Sequence, residues 1–510
     1  MDIKQAKQEI INTLRAYLTR DELGNYLIPA IRQRPILLMG PPGVGKTQIM
    51  TQIAAETGVG LVSYTITHHT RQSAVGLPFI EHRTYAGREV AVTEYTMSEI
   101  LASVYGLMEK TGLKEGILFL DEINCVSETL APMMLQFLQC KTFGNQALPE
   151  GWTIVAAGNP PEYNKSVRDF DVVTLDRVKR IDVQADFTVW KEYAYRKNLH
   201  GAVISYLDIR KDNFYRIETT VDGLQFATAR GWEDLSELLL AYEKLGIPAD
   251  REVVGQYIQL PRIAMDFAAY LELYNKYRRT YHVDEILRGA WQSIAVTQLQ
   301  AAPFDERLSA MGLMLSRLSE AAGNVREQDA LTDALHGVLR SFRERLAAGA
   351  GAQATLSGLI RQRREELDRT REAGRLDRDA RNLGLREIAL LERYRAGLSR
   401  TDAAGSGEAM EQVRAWFGEE VEKRRTLAEE TGEFFDSAFR FLEETFGPGQ
   451  ELVIFVTEIT AGYNLSWYVE NFGCDAYFRH NRELLFDDTR HRIREEIAAA
   501  KAEEEEKNHE

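Results

Sequence analysis

The chain is short of cysteine and of long apolar runs. Its 510 residues include three cysteines (Cys125, Cys140 and Cys474), and none of them belongs to a CxxC pair. An odd number of widely spaced cysteines cannot build a disulfide framework. No apolar run approaches the about 18 residues that a membrane-spanning helix needs. The first ten residues, MDIKQAKQEI, lack the apolar core of a signal peptide. We therefore expect a reducing, cytoplasmic location without membrane insertion.

Positive charge is also in deficit, and the deficit is unevenly distributed. Lys and Arg number 62 against 77 Asp and Glu, which gives a formal net charge of −15. Residues 1–300 carry −4 of this charge, whereas residues 401–510 carry −14. A general nucleic-acid binder needs a positive face that displaces counterions from phosphates. The overall charge therefore argues against nucleic acid as a partner, although a local basic patch stays open.

The first 190 residues alternate helical patterns with short β-branched runs. This alternation is typical of parallel strands joined by helices. The predicted strands are the runs 35–39, 60–66, 116–120, 153–157 and 178–183. They predict an α/β domain over residues 1–187, with a five-stranded parallel sheet between helices.

Helical patterns dominate after residue 187. The clearest helix is predicted over 229–245, where Gly246 and Pro248 stop it. It lies in a helical segment that we expect to cover residues 188–300.

The next predicted segment, over residues 301–400, is a charged helical arm. Its last part, residues 361–400, holds 12 Arg and 8 acidic side chains but no Lys. Such a composition predicts a solvated long helix or a helical hairpin. Small residues over 347–354 and 401–409 predict linkers or hairpin tips. We expect residues 401–510 to form an acidic, mainly helical module.

A glycine-rich sequence follows the first predicted strand and precedes a predicted helix. It matches G-x-x-x-x-G-K-[ST] and consists of Gly40, Pro41, Pro42, Gly43, Val44, Gly45, Lys46 and Thr47. Glycines let backbone N–H groups turn inward around phosphates, and the helix N-terminus adds positive potential. Lys46 is then suited to reach the β- and γ-phosphates, and the Thr47 hydroxyl is suited to ligate Mg²⁺. The motif in this context predicts ATP binding.

Two further strands end in polar residues that complete a hydrolytic site. The run Ile117–Leu120 is followed by Asp121 and Glu122, and the run ending at Gly158 is followed by Asn159. Carboxyl ends of parallel strands meet at the edge where ligands of α/β proteins bind. Asp121 is suited to hold Mg²⁺, Glu122 to polarise the attacking water, and Asn159 to orient that water.

These residues, in this order, resemble the AAA+ ATPases, and the sequences around them resemble the MoxR group. The segments GILFLDEIN (116–124), LPEGWTIVAAGNPPE (148–162) and LDRVKR (175–180) look like that group's Walker B, sensor 1 and arginine-finger segments. The resemblance assigns Arg177 as the finger offered to a neighbouring subunit, with Arg180 as the alternative, and places Arg230 at sensor 2 in a lid helix. It also implies inserted hairpins over 77–95 and 141–148.

The resemblance implies a function as well as a fold. It covers residues 1–245, and it implies an ATPase that uses ATP and Mg²⁺ and assembles as a homo-oligomeric ring, expected to be a hexamer. Such rings remodel or activate a client protein, in some cases one with a von Willebrand factor A domain or one that receives a metal cofactor. The acidic, aromatic segment after residue 401 is our candidate for the partner-binding module, and a surface kept acidic for solubility is the alternative.

Two functional alternatives stay open from the sequence. One is a nucleic-acid-associated AAA+ motor, which the Arg-rich segment 361–400 favours. The other is an assembly module that ATP switches without turnover. The pair His68-His69 lacks a third metal ligand, and Cys474 with His480 has the wrong spacing for zinc, so neither predicts a metal site.

Overall fold

The computed structural model describes residues 1–68, 72, 74, 76–143, 146–163, 170–220, 223–400 and 406–482. The chain divides into two compact units. Unit 1 comprises residues 1–189 and 341–406, and unit 2 comprises residues 190–340 and the chain from residue 407. Residues 341–406 thus group with the N-terminal segment, whereas the sequence analysis assigned 301–400 to one arm.

Unit 1 is built on a five-stranded parallel sheet. The strands of the unit, including two short hairpins, are β1 (Ile36–Met39), β2 (Gly60–Thr65), β3 (Pro78–Tyr85), β4 (Arg88–Tyr95), β5 (Gly116–Asp121), β6 (Thr142–Phe143), β7 (Gln146–Ala147), β8 (Trp152–Gly158) and β9 (Lys179–Asp182). The sheet order is β2-β5-β8-β1-β9, and every neighbouring pair is parallel. All residues of β1 and β8 are buried, as expected for strands covered on both faces. The predicted α/β fold class is confirmed.

Helices cover both faces of this sheet. They are α1 (Ile3–Leu18), α2 (Lys46–Thr57), α3 (Glu99–Thr111), α4 (Ala131–Cys140) and the single turn α5 (Val172–Leu175). One apolar core joins α1 and α2 to the sheet through residues such as Ile10 and Ile53. A second core joins α3 and α4 through residues such as Val104 and Phe137. Left-handed glycines end two of these helices, Gly58 after α2 and Gly112 after α3.

The two hairpins of unit 1 lie where the resemblance placed them. Strands β3 and β4 pair in antiparallel register around Ala86 and Gly87. Apolar side chains on this hairpin are exposed, with Ile80 72% and Tyr85 54% accessible. Strands β6 and β7 form the second, shorter hairpin, whose tip falls on 144–145, outside the described residues.

Unit 2 is mainly helical. Its first helix, α6 (Phe187–Arg196), begins three residues before the unit boundary, and the helices that follow are α7 (Gly201–Ile209), α8 (Ala229–Leu245), α9 (Arg251–Tyr257), α10 (Pro261–Tyr281), α11 (Val283–Leu287) and α12 (Ser293–Ala301). The predicted helix 229–245 is confirmed as α8. The segment also contains an antiparallel hairpin, β10 (Arg216–Thr220) with β11 (Gly223–Ala227), which the sequence analysis did not predict.

Helices make up most of the described chain after residue 303. They are α13 (Phe304–Ala347), α14 (Ala352–Glu372), α15 (Arg378–Arg400), α16 (Ser406–Phe446), α17 (Gln450–Ala461) and α18 (Tyr463–Phe472). Helices α14 and α15 form a hairpin in unit 1, which is one of the two forms that the charged segment predicted. Residues 348–351 of the linker predicted over 347–354 separate α13 from α14. Residues 401–405 of the second predicted linker are outside the described residues.

The segment after residue 406 shares the core of unit 2. Lys191 pairs with Glu458 at 2.6 Å, and Gln328 donates to the Glu420 carboxylate at 2.9 Å. The aromatic residues are divided, since Tyr468 is 2% exposed and stacks on Phe435 while others, such as Phe478, are 39% exposed. The acidic tail at Glu503–Glu506 lies outside the described residues. Within the described residues no helix is both long and apolar enough to cross a membrane.

Candidate nucleotide-binding site

The phosphate-loop motif lies at the carboxyl end of β1. Residues 40–45 connect β1 to α2, which begins at Lys46. Gly43 (φ 78°) and Gly45 (φ 92°) adopt left-handed backbone conformations, which glycine reaches without steric cost. A Cβ on Gly40 would lie 2.9 Å from the Val183 carbonyl oxygen. Local sterics therefore require three of the motif's glycines.

Lys46 is the central cation of the site. Its side chain is buried, and Nζ donates hydrogen bonds to the carbonyl oxygens of Gly40 (2.8 Å) and Pro41 (2.9 Å). A third bond of 2.9 Å reaches Oδ1 of Asn159, at the end of β8. These three acceptors are neutral oxygens, and they hold the ammonium group beside the glycine-rich loop, where a phosphate can accept a charge-assisted hydrogen bond from it.

Thr47 and Asp121 meet directly at the sheet edge. The Thr47 hydroxyl donates to Oδ2 of Asp121 at 2.6 Å, although 74 residues separate them in the chain. A hydroxyl and a carboxylate are hard oxygen ligands, and Mg²⁺ commonly uses one or two such groups together with phosphate oxygens and waters. In the described part of the chain no group of three or more His, Cys, Asp or Glu could hold a metal by itself. The donor set therefore fits Mg²⁺ bound jointly with a nucleotide.

Glu122 follows Asp121 in a left-handed backbone conformation (φ 57°). This is uncommon for a residue with a side chain and is found at functional sites. Its Oε2 accepts a hydrogen bond of 2.7 Å from the hydroxyl of Thr67. Thr67 lies in the turn Ile66–His68 that follows β2, the neighbour of β5 in the sheet. Sequence analysis missed Thr67, although a hydroxyl just after a strand of the same sheet was a usable signal.

Asn159 is held by a second asparagine. The Nδ2 of buried Asn124 donates to the Asn159 carbonyl at 2.7 Å, and the Asn159 N–H donates to Oδ1 of Asn124 at 3.3 Å. A Cβ on Gly158 would lie 2.7 Å from that same Oδ1, so glycine is needed there. The Asn159 side chain accepts a hydrogen bond from Lys46, and its predicted role in orienting the water stays a prediction. Sequence analysis did not predict this contact of Asn124 with Asn159.

The three arginines predicted for the site differ in their surroundings. Arg177 is exposed just after α5 and donates to the side-chain oxygen of Gln139 on α4. Arg180 lies on β9 and pairs with Asp182 at 2.8 Å. Arg230 is exposed in the first turn of α8, in unit 2. Unit 1 therefore brings together the phosphate loop, Asp121, Glu122 and Asn159. The hydrogen bond of Arg177 to Gln139 does not join it to any of these residues.

Unit 2 contains a separate cavity of about 1250 Å³. Its lining includes His200, Glu243, Tyr274 and Arg278. His200 lies 3.2 Å from Glu243, which also pairs with Arg278. Burial raises the pKa of Glu243, but the hydrogen bond from His200 and the charge of Arg278 outweigh it and lower the pKa overall. Arg230 is the predicted site residue that belongs to unit 2, and it does not line this cavity. The other predicted site residues belong to unit 1.

Within the described residues, Cys474 and His480 belong to no group of three or more possible metal ligands. Cys474 is buried, and burial raises the pKa of its thiol, as expected for a packed cysteine rather than a metal thiolate. His480 lies 2.6 Å from Glu443. His69 is outside the described residues.

Comparison with known proteins agrees with the geometry of unit 1. Residues 36–173 match the family described as ATPase family associated with various cellular activities (AAA). No curated protein matches the chain. A crystal structure from Cytophaga hutchinsonii, of a protein provisionally described as an ATPase, matches 36% of this chain and 50% of its own, at 15% identity and a TM-score of 0.21. The N-terminal part of the chain therefore contains an AAA ATPase-family domain, an assignment that rests on the sequence match.

Proposed function

We propose that the chain hydrolyses ATP at the carboxyl edge of the unit 1 sheet, as a ring-forming AAA+ ATPase of the MoxR type. One observation carries the proposal. The ends of β1, β5 and β8 bring Lys46, Asp121 and Asn159 together, with Thr47 2.6 Å from Asp121 and Lys46 2.9 Å from Asn159. A buried lysine, a hydroxyl–carboxylate pair and a glycine-rich loop are the groups that phosphoryl transfer from ATP requires.

Each group has a role in nucleotide binding. The backbone N–H groups of residues 40–47 and the N-terminus of α2 hold the phosphates, and Lys46 neutralises charge on the β- and γ-phosphates. Thr47 and Asp121 hold Mg²⁺, which when bound supplies positive charge to the phosphate oxygens.

Glu122 is the proposed general base for the attacking water. Its carboxylate accepts the Thr67 hydroxyl at 2.7 Å. That hydrogen bond engages an oxygen that a water would otherwise use, so Glu122 must release Thr67, or share that oxygen, when it activates water. Asn159 holds Lys46 and helps to orient the water.

Completion of the site by a second subunit is the next part of the proposal. Charge on the transferring phosphoryl requires a further cation, and Arg177 is exposed rather than turned to its own phosphate loop. Two exposed apolar residues precede it, Val172 (81% accessible) and Val173 (57%). An exposed apolar patch next to an unburied arginine suits a contact with a neighbouring copy. We propose a closed ring, a hexamer, in which Arg177 completes the neighbour's site and Arg230 acts as sensor 2.

Remodelling of a client protein is the proposed use of this turnover. The β3–β4 hairpin supports it, because Phe79, Ile80 and Val90 are exposed by 44–72% on a two-stranded projection. Apolar side chains on such a projection suit contact with another protein. The client class follows from the resemblance to MoxR-type proteins and includes von Willebrand factor A domain proteins and proteins that receive a metal cofactor.

ATPase rate against protein concentration tests the ring. Wild-type activity per chain should rise with concentration, and Arg177→Ala should remove the rise while Arg180→Ala keeps most of it. Mixing Arg177→Ala with Lys46→Ala should restore activity, because each variant supplies what the other lacks. A monomer that is fully active and indifferent to loss of Arg177 would refute the ring.

The same assay separates the alternative functions. Stimulation of ATPase activity by DNA, together with salt-sensitive DNA binding, would favour a nucleic-acid motor. ATP binding without single-turnover hydrolysis would favour an ATP-switched assembly module. We expect neither result.

Client identity requires capture of the partner. Glu122→Gln should hold ATP without turnover, and a client retained on that variant should be lost when Ile80→Ser is added to the β3–β4 hairpin. Deleting residues 401–510 is a poor control, because Phe435, Phe439 and Phe455 are fully buried within unit 2 and their loss would disrupt its core.

A further inference from the structure

The tip of the α14–α15 hairpin contacts the sheet of unit 1. The tip consists of Ala373, Gly374 and Arg375, between the end of α14 and the start of α15. Ala373 is fully buried, and α14 also packs against α3. A segment whose composition predicted a solvated arm therefore has a fixed contact with the nucleotide-binding core.

Two hydrogen bonds join the tip to the turn after α2 and to the first residues of β2. The N–H of Leu61 donates to the Ala373 carbonyl at 3.0 Å, while the adjacent N–H of Gly60 points the other way, to the Glu115 carbonyl. Strand β2 is at the edge of the sheet, with β5 on one side only. The tip therefore accepts a hydrogen bond from the Leu61 N–H, which faces away from β5. Arg375 Nη1 donates to the carbonyl of Gly58, the C-cap of α2, at 3.1 Å. A cation at a helix C-terminus also interacts favourably with the helix dipole.

Gly374 is specific to this contact. Its φ is +71°, and a Cβ there would lie 2.6 Å from the Leu61 carbonyl oxygen. Any other residue at this position would have to push the tip away from β2. The hairpin behind the tip is stiffened by Arg363, which binds the Glu387 carboxylate through Nε at 3.0 Å and Nη2 at 2.8 Å, with Glu387 1% exposed.

Both elements that meet at this turn lead to the candidate site. Helix α2 begins at Lys46 and Thr47 and ends at the turn. Strand β2 leaves the turn and leads to Thr67, whose hydroxyl binds Glu122. The tip therefore contacts the far ends of the two elements that carry the phosphate-binding lysine and the partner of the proposed base.

We propose that the docked tip restrains ATP hydrolysis. Docking holds β2 in the position at which Thr67 engages Glu122, and ATP binding through α2 weakens docking and releases Glu122. Gly374 and Arg375 are then positioning residues that act through Thr67, and this inference rests on the proposed function. Coupling of this kind is reciprocal. If bound ATP weakens docking of the tip by a given factor, undocking of the tip strengthens ATP binding by the same factor.

Two variants of the full chain test the restraint. Gly374→Ala combines left-handed backbone strain with the close contact at Leu61. Gly349→Ala, in the loop before α14, has the same kind of strain (φ +88°) but no atom within 4 Å of its Cβ. We expect Gly374→Ala to raise kcat for ATP and to tighten binding of a non-hydrolysable ATP analogue by about fivefold or more, the lower end of typical allosteric couplings. Gly349→Ala should do neither.

A third substitution asks whether the effect passes through Thr67. Adding Gly374→Ala to Thr67→Ala should give no further rise in kcat, because Thr67→Ala has already removed the hydrogen bond to Glu122 through which the docked tip acts. Arg375→Ala should act like Gly374→Ala, and Arg375→Lys should restore part of the wild-type restraint. Thermal unfolding of each variant identifies any that fails to fold.

Hydrogen exchange supplies a readout that does not need turnover. In the wild-type chain, the non-hydrolysable ATP analogue should speed exchange of the Leu61 amide by about fivefold or more. Unchanged or slower exchange would overturn the restraint, as would equal kcat and equal analogue binding in Gly374→Ala and Gly349→Ala. A wild-type chain that binds the analogue but does not hydrolyse ATP would instead refute the proposed function, and the exchange result would still decide whether nucleotide and tip are coupled.

Discussion

Three buried or partly buried lysines show how differently the two units use the same charge. In unit 2, Lys191 lies between the carboxylates of Glu458 (2.6 Å) and Asp208 (2.9 Å). In unit 1, Lys46 donates to two carbonyls and an amide oxygen, and Lys141 donates to the Ala30 carbonyl at 2.8 Å. The first lysine is paired with two carboxylates, whereas these hydrogen bonds of Lys46 and Lys141 go to neutral oxygens.

The difference separates a structural role from a binding role. A lysine between two carboxylates is already compensated and holds helices together. A lysine on neutral oxygens attracts an anion, but only where the backbone admits one. Lys46 lies beside left-handed glycines and a helix N-terminus, whereas Lys141 caps a helix C-terminus in a left-handed conformation. Burial alone therefore does not identify the site, and the backbone around the charge does.

The largest effect is expected at Lys46. Lys46→Ala should lower ATP turnover by roughly 10²–10³-fold, because it removes a preorganised positive charge from the transferring phosphate. Steady-state phosphate release measures it. Lys7→Ala is the matched control. Lys7 lies on α1 and pairs with Glu56 of α2, the helix that begins at Lys46. Its loss should change the rate by no more than about twofold. Equal loss in both variants would break the distinction between them.

Lys191 should matter for stability rather than for catalysis. Lys191→Met leaves two carboxylates without their cation and should destabilise unit 2 by about 3–5 kcal/mol, measured by urea unfolding. Lys191 is 10% and Glu458 13% exposed in their side chains. Arg317→Met, which breaks exposed pairs, should cost only about 0–1 kcal/mol. Adding Glu458→Gln to Lys191→Met should recover part of the loss, and no recovery would show that charge is not the cause.

A smaller, pH-dependent effect is expected at Lys141. Burial lowers the pKa of Lys141 to about 8 from an ordinary value of 10.5. Between these values the unfolded chain binds a proton that the folded chain has lost, so the free energy of unfolding rises with pH across this window. Wild type minus Lys141→Met, measured by urea unfolding from pH 7.5 to 10.5, should show this rise. A flat difference would mean that Lys141 is no less solvated when folded than when unfolded.

Local sequence determines much of the fold and of the site. Five strands, the helix 229–245 and the phosphate loop could be predicted because apolar runs and a spaced motif carry them. The hairpin 216–227 was missed, since its strands have five residues each and lie among helical patterns. Contacts such as Thr67 with Glu122 could not be predicted, because they depend on which strands are neighbours.

The charged hairpin shows the same limit. Its composition indicated a solvated segment, yet Glu387 is buried by its bidentate pair with Arg363. The spacing of apolar residues predicts which positions of a helix are buried, but it does not predict which charged side chains pair with each other in the fold.

Single-turnover hydrolysis of ATP with Mg²⁺, with nucleotide binding measured in the same samples, tests the central claim most directly. Wild type and Glu122→Gln should bind ATP alike, and the variant should hydrolyse it roughly 10²–10⁴-fold more slowly, the usual contribution of a general base. Hydrolysis by Glu122→Gln at the wild-type rate would contradict the claim that this edge of the sheet is the ATPase site.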